Sequence, residues 1–187
     1  MGGTIRSFLA IELSEELKEA LEEVRYRLDL PQFHVRWVQP KNMHLTLRFL
    51  GEIQEQDVQR ASQAASHAAA KGAPFRMAVL GLGAFPSLNS PRVVWVGIDE
   101  SRPLLRLEKA LSQELELAHF PLPDKPFRPH LTLGRVKSQR GKRELKRHLE
   151  RNQQLSVGEM HVEHFSLIKS ELKPSGPVYT QLNRFAL

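Results

Sequence analysis

The chain of 187 residues contains no cysteine. Disulfides and thiolate metal sites are therefore excluded, and the absence fits a reducing compartment. No apolar run approaches the roughly 18–20 residues that a membrane span requires. A secretory layout is missing too, because Glu12, Glu15 and Glu16 follow directly on a short apolar run. Nor does any Gly/Ser-rich stretch mark a flexible connector. These absences predict a cytoplasmic protein without a membrane partner: one domain over 1–187, monomeric, and long enough to bury a sizeable interior.

What is present is ordinary in bulk, with 41% hydrophobic and 26% charged residues. The 27 Lys+Arg exceed the 21 Asp+Glu, for a net charge of +6. Distribution says more than the total. Arg128, Arg135, Lys137, Arg140, Lys142, Arg143, Lys146, Arg147 and Arg151 face only Glu144 and Glu150 within their stretch. Such a run is most often a solvated face, but it also suits a polyanion such as RNA or a phosphate ester.

Alternation and helical spacing divide the chain in order. An apolar strand, Ile5 to Leu13, leads through Ser14, Glu15 and Glu16 (an N-cap with an acidic first turn) into a helix reaching about Leu28. Val35–Val38 and Met43–Leu50 read as strands, with Gly51 closing the second. An alanine-rich helix from about Gln54 to Lys71 is followed by strands Phe75–Phe85 and Arg92–Ile98 and a helix from about Ser101 to Leu117. Then come a basic helix, Lys142–Arg151, a strand region from Leu155 to Glu171, the turn Lys173-Pro174-Ser175-Gly176-Pro177 and a last strand, Val178–Phe185. The pattern predicts an α+β fold of two pseudo-symmetric lobes. Each is a mostly antiparallel sheet with outer helices, and a cleft lies between the sheets.

One tetrapeptide occurs twice: His44-Leu45-Thr46-Leu47 and His130-Leu131-Thr132-Leu133, 86 residues apart (130 − 44). On a strand each copy presents His and Thr on one face and its leucines on the other. A single copy is unremarkable; two copies, one per lobe, point to one site. Two histidines facing a shared cleft suit phosphodiester chemistry without a metal. A neutral imidazole takes a proton from the nucleophile, and a protonated one gives a proton to the leaving oxygen. Thr46 and Thr132 would hold the non-bridging oxygens, and arginines would balance their charge. Strand parity adds Arg48 and Arg128 to the histidine faces. Arg135 joins them only if Gly134 introduces a bulge.

The flanks of the repeat resemble the RNA 2′,3′-cyclic phosphodiesterase family, formerly 2′-5′ RNA ligase, of the two-histidine (2H) phosphoesterase superfamily. The matching segments are Arg6–Ile11, Arg36–Val38, His44–Gly51, Phe85–Ser87, Pro91–Gly97, Phe127–Val136 and Leu172–Tyr179. The resemblance implies metal-independent hydrolysis of RNA 2′,3′-cyclic phosphate ends to 2′-phosphomonoesters, without a cofactor. Its implied partners are RNA with such ends, tRNA halves among them, or cyclic nucleotides. It assigns proton donation to His44 and proton acceptance to His130, roles the residues alone leave open, and it includes Arg135. The alternatives are a 2′-5′ RNA ligase using the same site and a non-catalytic nucleotide- or RNA-binding module.

Tyr179, after the Pro-Ser-Gly-Pro turn, is the aromatic placed to stack on a base. Trp37 and Phe8 read as core. His161 and His164, three apart on a strand, fall on opposite faces without a carboxylate or cysteine set and are read as structural. His34, His67, His119 and His148 belong to no visible constellation.

Overall fold

The computed structural model of the chain describes residues 3–138, 140–174 and 176–187. Strand β1 (Thr4–Glu12) runs into helix α1 (Glu15–Leu28). The Ser14 hydroxyl accepts the Leu17 amide at 3.3 Å, and Glu15 and Glu16 oppose the dipole of the first turn. Leu17, Leu21, Val24 and Leu28 form its buried stripe. The edge strand β2 (Val35–Trp37) and a 3₁₀ turn (Pro40–Asn42) precede β3 (His44–Gln54). Helix α2 (Asp57–Ala69) buries five alanines, small enough to let it lie close against α3 (Arg102–Leu117), which buries Leu104, Leu107, Leu111 and Leu115. Between these helices run β4 (Phe75–Ser87) and β5 (Ser90–Ile98). Then follow β6 (His130–Val136), α4 (Lys142–Arg151), β7 (Ser156–Val162), β8 (His164–Lys173) and β9 (Gly176–Ala186).

The strands form two antiparallel sheets, β3-β1-β8-β9 and β2-β6-β5-β4-β7. Each holds one HLTL strand, and β3 and β6 are the strands through which the sheets approach. The sheets are not the two halves of the chain, however. β4, from the first half, lies beside β7 of the second, while β8, from the second half, lies beside β1 of the first. Leu45, Leu47, Leu131 and Leu133 are buried in one continuous core with the helix leucines.

Two local expectations give way to the structure. Gly51 does not end its strand: with φ +73 it carries β3 onward to Gln54. The strand region predicted from Leu155 to Glu171 is two strands broken at Glu163, so His161 and His164 belong to different strands of different sheets. In the turn before β9, Ser175 lies outside the described residues.

Candidate active site

Each HLTL strand is interrupted by a bulge at its second leucine. Across β1 and β3, Ala10 pairs with Thr46 but Leu9 pairs with Arg48, leaving Leu47 as the extra residue. Across β5 and β6, Trp95 pairs with Thr132 but Val94 pairs with Gly134, leaving Leu133 extra. A bulge reverses the parity of the residues beyond it. Arg48 and Gly134 therefore turn to the core side, and Phe49 and Arg135 turn outward.

This overturns the parity expectation for Arg48. Its side chain is buried, only 3% exposed, and its guanidinium bonds the Pro121 carbonyl and, at 3.5 Å, the Ser112 hydroxyl of α3. Burial lowers its pKa, with Glu108 and Glu116 opposing. Arg48 ties β3 to α3 and the loop after it; it does not face the cleft. Arg135 is exposed and its charge acts on Tyr179 of the opposite sheet. Arg128 is exposed and lies before β6 begins; what touches the site is its main-chain carbonyl.

The two histidines are held in one manner. His44 Nδ1–H donates to the carbonyl of Asn42 at 3.0 Å, and His130 Nδ1–H donates to that of Arg128 at 2.6 Å. Each carbonyl lies two residues upstream, where the chain enters the strand. A carbonyl only accepts, so Nδ1 carries the proton and Nε2 is the free acceptor in each neutral ring. Neither Nε2 has a hydrogen-bond partner among the described residues.

Aromatic rings fix both imidazoles. Phe8 of β1 stacks on His44 at 4.6 Å, and Tyr179 of β9 meets it edge-on at 5.2 Å. Phe85 of β4 meets His130 edge-on at 4.8 Å, with Trp95 of β5 at 6.4 Å. Trp95 lies over Gly83, where a Cβ would fall 2.3 Å from the indole. Burial lowers the pKa of both histidines. Asn42's carbonyl and the Glu12 carboxylate oppose the shift at His44, and Arg128's carbonyl opposes it at His130. Burial raises the Tyr179 phenol, while Arg135 and Arg6 act the other way.

The pseudo-symmetry breaks at one pair of positions. Glu12 stands opposite His44 across β1 and β3, whereas Gly97 stands opposite His130 across β5 and β6. Glu12 is itself held by the hydroxyl of buried Ser166 at 2.8 Å. Beside His44 opens a cavity of about 330 Å³, lined among others by Glu12, Lys41, Asn42, Tyr179 and Gln181.

Sequence reasoning brought together His44, Thr46, His130, Thr132 and Tyr179 but passed over Glu12, Phe85, Trp95 and Arg6. Arg6 lies over the Phe49 ring at 4.6 Å, on the face of β1 that carries Phe8. The signal for these residues is pairing with the repeat strands, which needs a known register. Trp37 packs against Gly134 on the core side, and its indole donates to Asp29 at 2.7 Å.

An antiparallel pair of sheets that brings two His-x-Thr strands together, with both Nε2 atoms unengaged, defines a two-histidine phosphoesterase arrangement. The chain belongs to the LigT-like phosphoesterase family, whose model matches it twice, over residues 11–95 and 96–179. It is 34% identical to the RNA 2′,3′-cyclic phosphodiesterase of Methanothermobacter thermautotrophicus, over 98% of this chain and 99% of that one. A crystal structure from Thermus thermophilus superposes with a TM-score of 0.82 at 37% identity, covering 97% of each chain. Escherichia coli LigT complexed with 3′-AMP gives a TM-score of 0.78 at 28% identity over 98% of both chains.

Proposed function

We propose that the chain hydrolyses RNA 2′,3′-cyclic phosphate ends to 2′-phosphomonoesters by acid–base catalysis between His44 and His130. The observation that carries this reading is the shared anchoring of the two rings. Each Nδ1–H is engaged by a carbonyl, and each Nε2 is left to move a proton. His130 Nε2 takes a proton from water as its oxygen bonds to phosphorus. The bond from phosphorus to the 3′-oxygen breaks, and His44 Nε2–H protonates that oxygen. The rings then exchange protons with solvent to reset. Thr46 and Thr132 donate to the non-bridging oxygens, Arg135 offsets their charge, and Tyr179 packs against the nucleoside.

The donor role of His44 is supported by Glu12, whose carboxylate favours the imidazolium; no carboxylate stands opposite His130. Arg48 has no part in the reaction. Interleaving of strands from both halves supports a single domain over 1–187. Among the described residues no helix is long and apolar enough to cross a membrane. We take the protein as a cytoplasmic monomer, with RNA ends such as those of tRNA halves as its substrates.

The test is digestion of an oligoribonucleotide bearing a 2′,3′-cyclic phosphate, with and without EDTA. A 2′-phosphate product and an unchanged rate are expected. His44→Ala and His130→Ala should each lower kcat about 10²–10⁴-fold. A 3′-phosphate product would reverse which oxygen leaves. Loss of activity in EDTA, restored by a divalent metal, would overturn the scheme.

A further inference from the structure

The two halves of the site place their cations differently. On β6 the second residue past the bulge, turned outward, is Arg135; on β3 the same station is held by Phe49. Phe49 stands opposite Phe8 of β1 and is half exposed. A charge lies against its open ring: the Arg6 guanidinium, 4.6 Å from the ring centre. Glu52 stands opposite Arg6 across β1 and β3, yet the two form no ion pair among the described residues. The guanidinium rests on Phe49 instead, with its N–H donors left for another partner.

Arg6 and Phe8 are two apart on β1 and share a face, and Phe8 is the ring that stacks on His44. Arg6 and Phe49 thus flank that ring, one along its own strand and one across from it. Tyr179, edge-on to His44, experiences Arg6 from its own sheet and Arg135 from the other, both opposing the rise that burial causes in its phenol. Two guanidiniums, one from each sheet, therefore stand about the wall of the His44 half-site.

We propose that Arg6 is a second arginine of the reacting phosphate, donating to a non-bridging oxygen from β1 while Arg135 does so from β6. This rests on the function proposed above and deepens it by one residue of the same site. Each half-site then offers a histidine, a threonine and a guanidinium. In the His44 half the guanidinium comes from the neighbouring strand, propped on the aromatic that stands where Arg135 stands in the other half.

Arg6 moves no proton; it acts through charge. The cyclic diester enters with one negative charge, and the 2′-phosphomonoester leaves with about −1.5 to −2. The added charge develops on the non-bridging oxygens as the oxygen of water bonds to phosphorus. One arginine matches the substrate, and a second matches what the substrate becomes. Only interactions that strengthen on the way to the transition state raise kcat.

The experiment is steady-state kinetics on a nucleoside 2′,3′-cyclic monophosphate, with the 2′-monophosphate as competing ligand. Arg6→Ala should lower kcat roughly 10²-fold, as loss of an oxyanion donor does, with KM little changed. The affinity for the 2′-monophosphate, measured by calorimetry, should fall about tenfold, the lower end for a charged hydrogen bond. Arg6→Lys keeps the charge and should recover the larger part of both losses. Phe49→Leu removes the prop but not the cation, and should cost less than Arg6→Ala. A raised KM at unchanged kcat, an unchanged product affinity in Arg6→Ala, or a loss in Phe49→Leu as large as that in Arg6→Ala each overturns the proposal. The calorimetric arm reads Arg6 without turnover. A wild type that binds the 2′-monophosphate but leaves the cyclic substrate intact would therefore sink the catalytic reading alone.

Discussion

Glu12 is the residue that makes two similar half-sites different. Its carboxylate favours the protonated form of His44, and the equivalent place beside His130 is a glycine. Tyr179 from β9, the cavity-lining Lys18 and Lys41, and His164 of β8, on which Glu12 also acts, are further titratable groups on the His44 side. Burial lowers both histidines from an ordinary value of 6.5, so the bell of kcat/KM against pH should centre at or below the usual imidazole range. In Glu12→Gln the amide oxygen can still accept from Ser166, but the negative charge is gone. The pKa of His44 falls further, and since the acid must start protonated, the alkaline limb should move to lower pH. The acidic limb, set by His130, should stay in place. A pH–rate series on a cyclic mononucleotide checks this, and movement of the acidic limb instead would exchange the two roles.

At the scale of elements, the bulges at Leu47 and Leu133 decide what reaches the cleft. Gly134→Ala should press β2 off β6, because the new methyl meets Val35 and Trp37 well inside contact distance. The expected cost is about 1–3 kcal/mol, the usual range for overpacking. It would be read as a lower urea midpoint at unchanged slope. The same bulges show where sequence reading succeeds and fails. His44, Thr46, His130 and Thr132 are legible because alternation holds from each histidine to its threonine. Arg48 is misread because the extra residue arrives one position later and leaves no compositional trace. Arg135 was reachable through Gly134, a residue whose missing side chain hints at a close approach. No glycine marks the matching bulge in β3, where Arg48 fills the space against α3. Helix α1 was legible from its cap and leucine spacing, and α3 from leucine spacing alone. The break at Glu163 was not, since both flanking strands continue the same alternation.

Whole-molecule architecture depends on the exchange of β4 and β8 between the halves of the chain. Sheet order was beyond the sequence, because it is fixed by pairings between residues far apart, such as Leu9 with Leu167. The exchange predicts that the halves cannot stand alone. Fragments 1–95 and 96–187, the division marked by the two family matches, should each lack a cooperative thermal transition. Each would expose the strand edge that the other half covers. A sharp transition from either fragment by circular dichroism would show the halves to be separable.

The same exchange orders events during synthesis. β1 leaves the ribosome long before its neighbour β8, and Tyr179 follows later still. Until then the His44 strand belongs to an unfinished sheet, with one side of its imidazole uncovered. A chain halted early, even one already carrying both histidines, would lack the wall that shapes the pocket around His44. Translation products that stop short of β9 should therefore be poor phosphodiesterases, and activity against cyclic phosphate ends should arrive only once β8 and β9 are made.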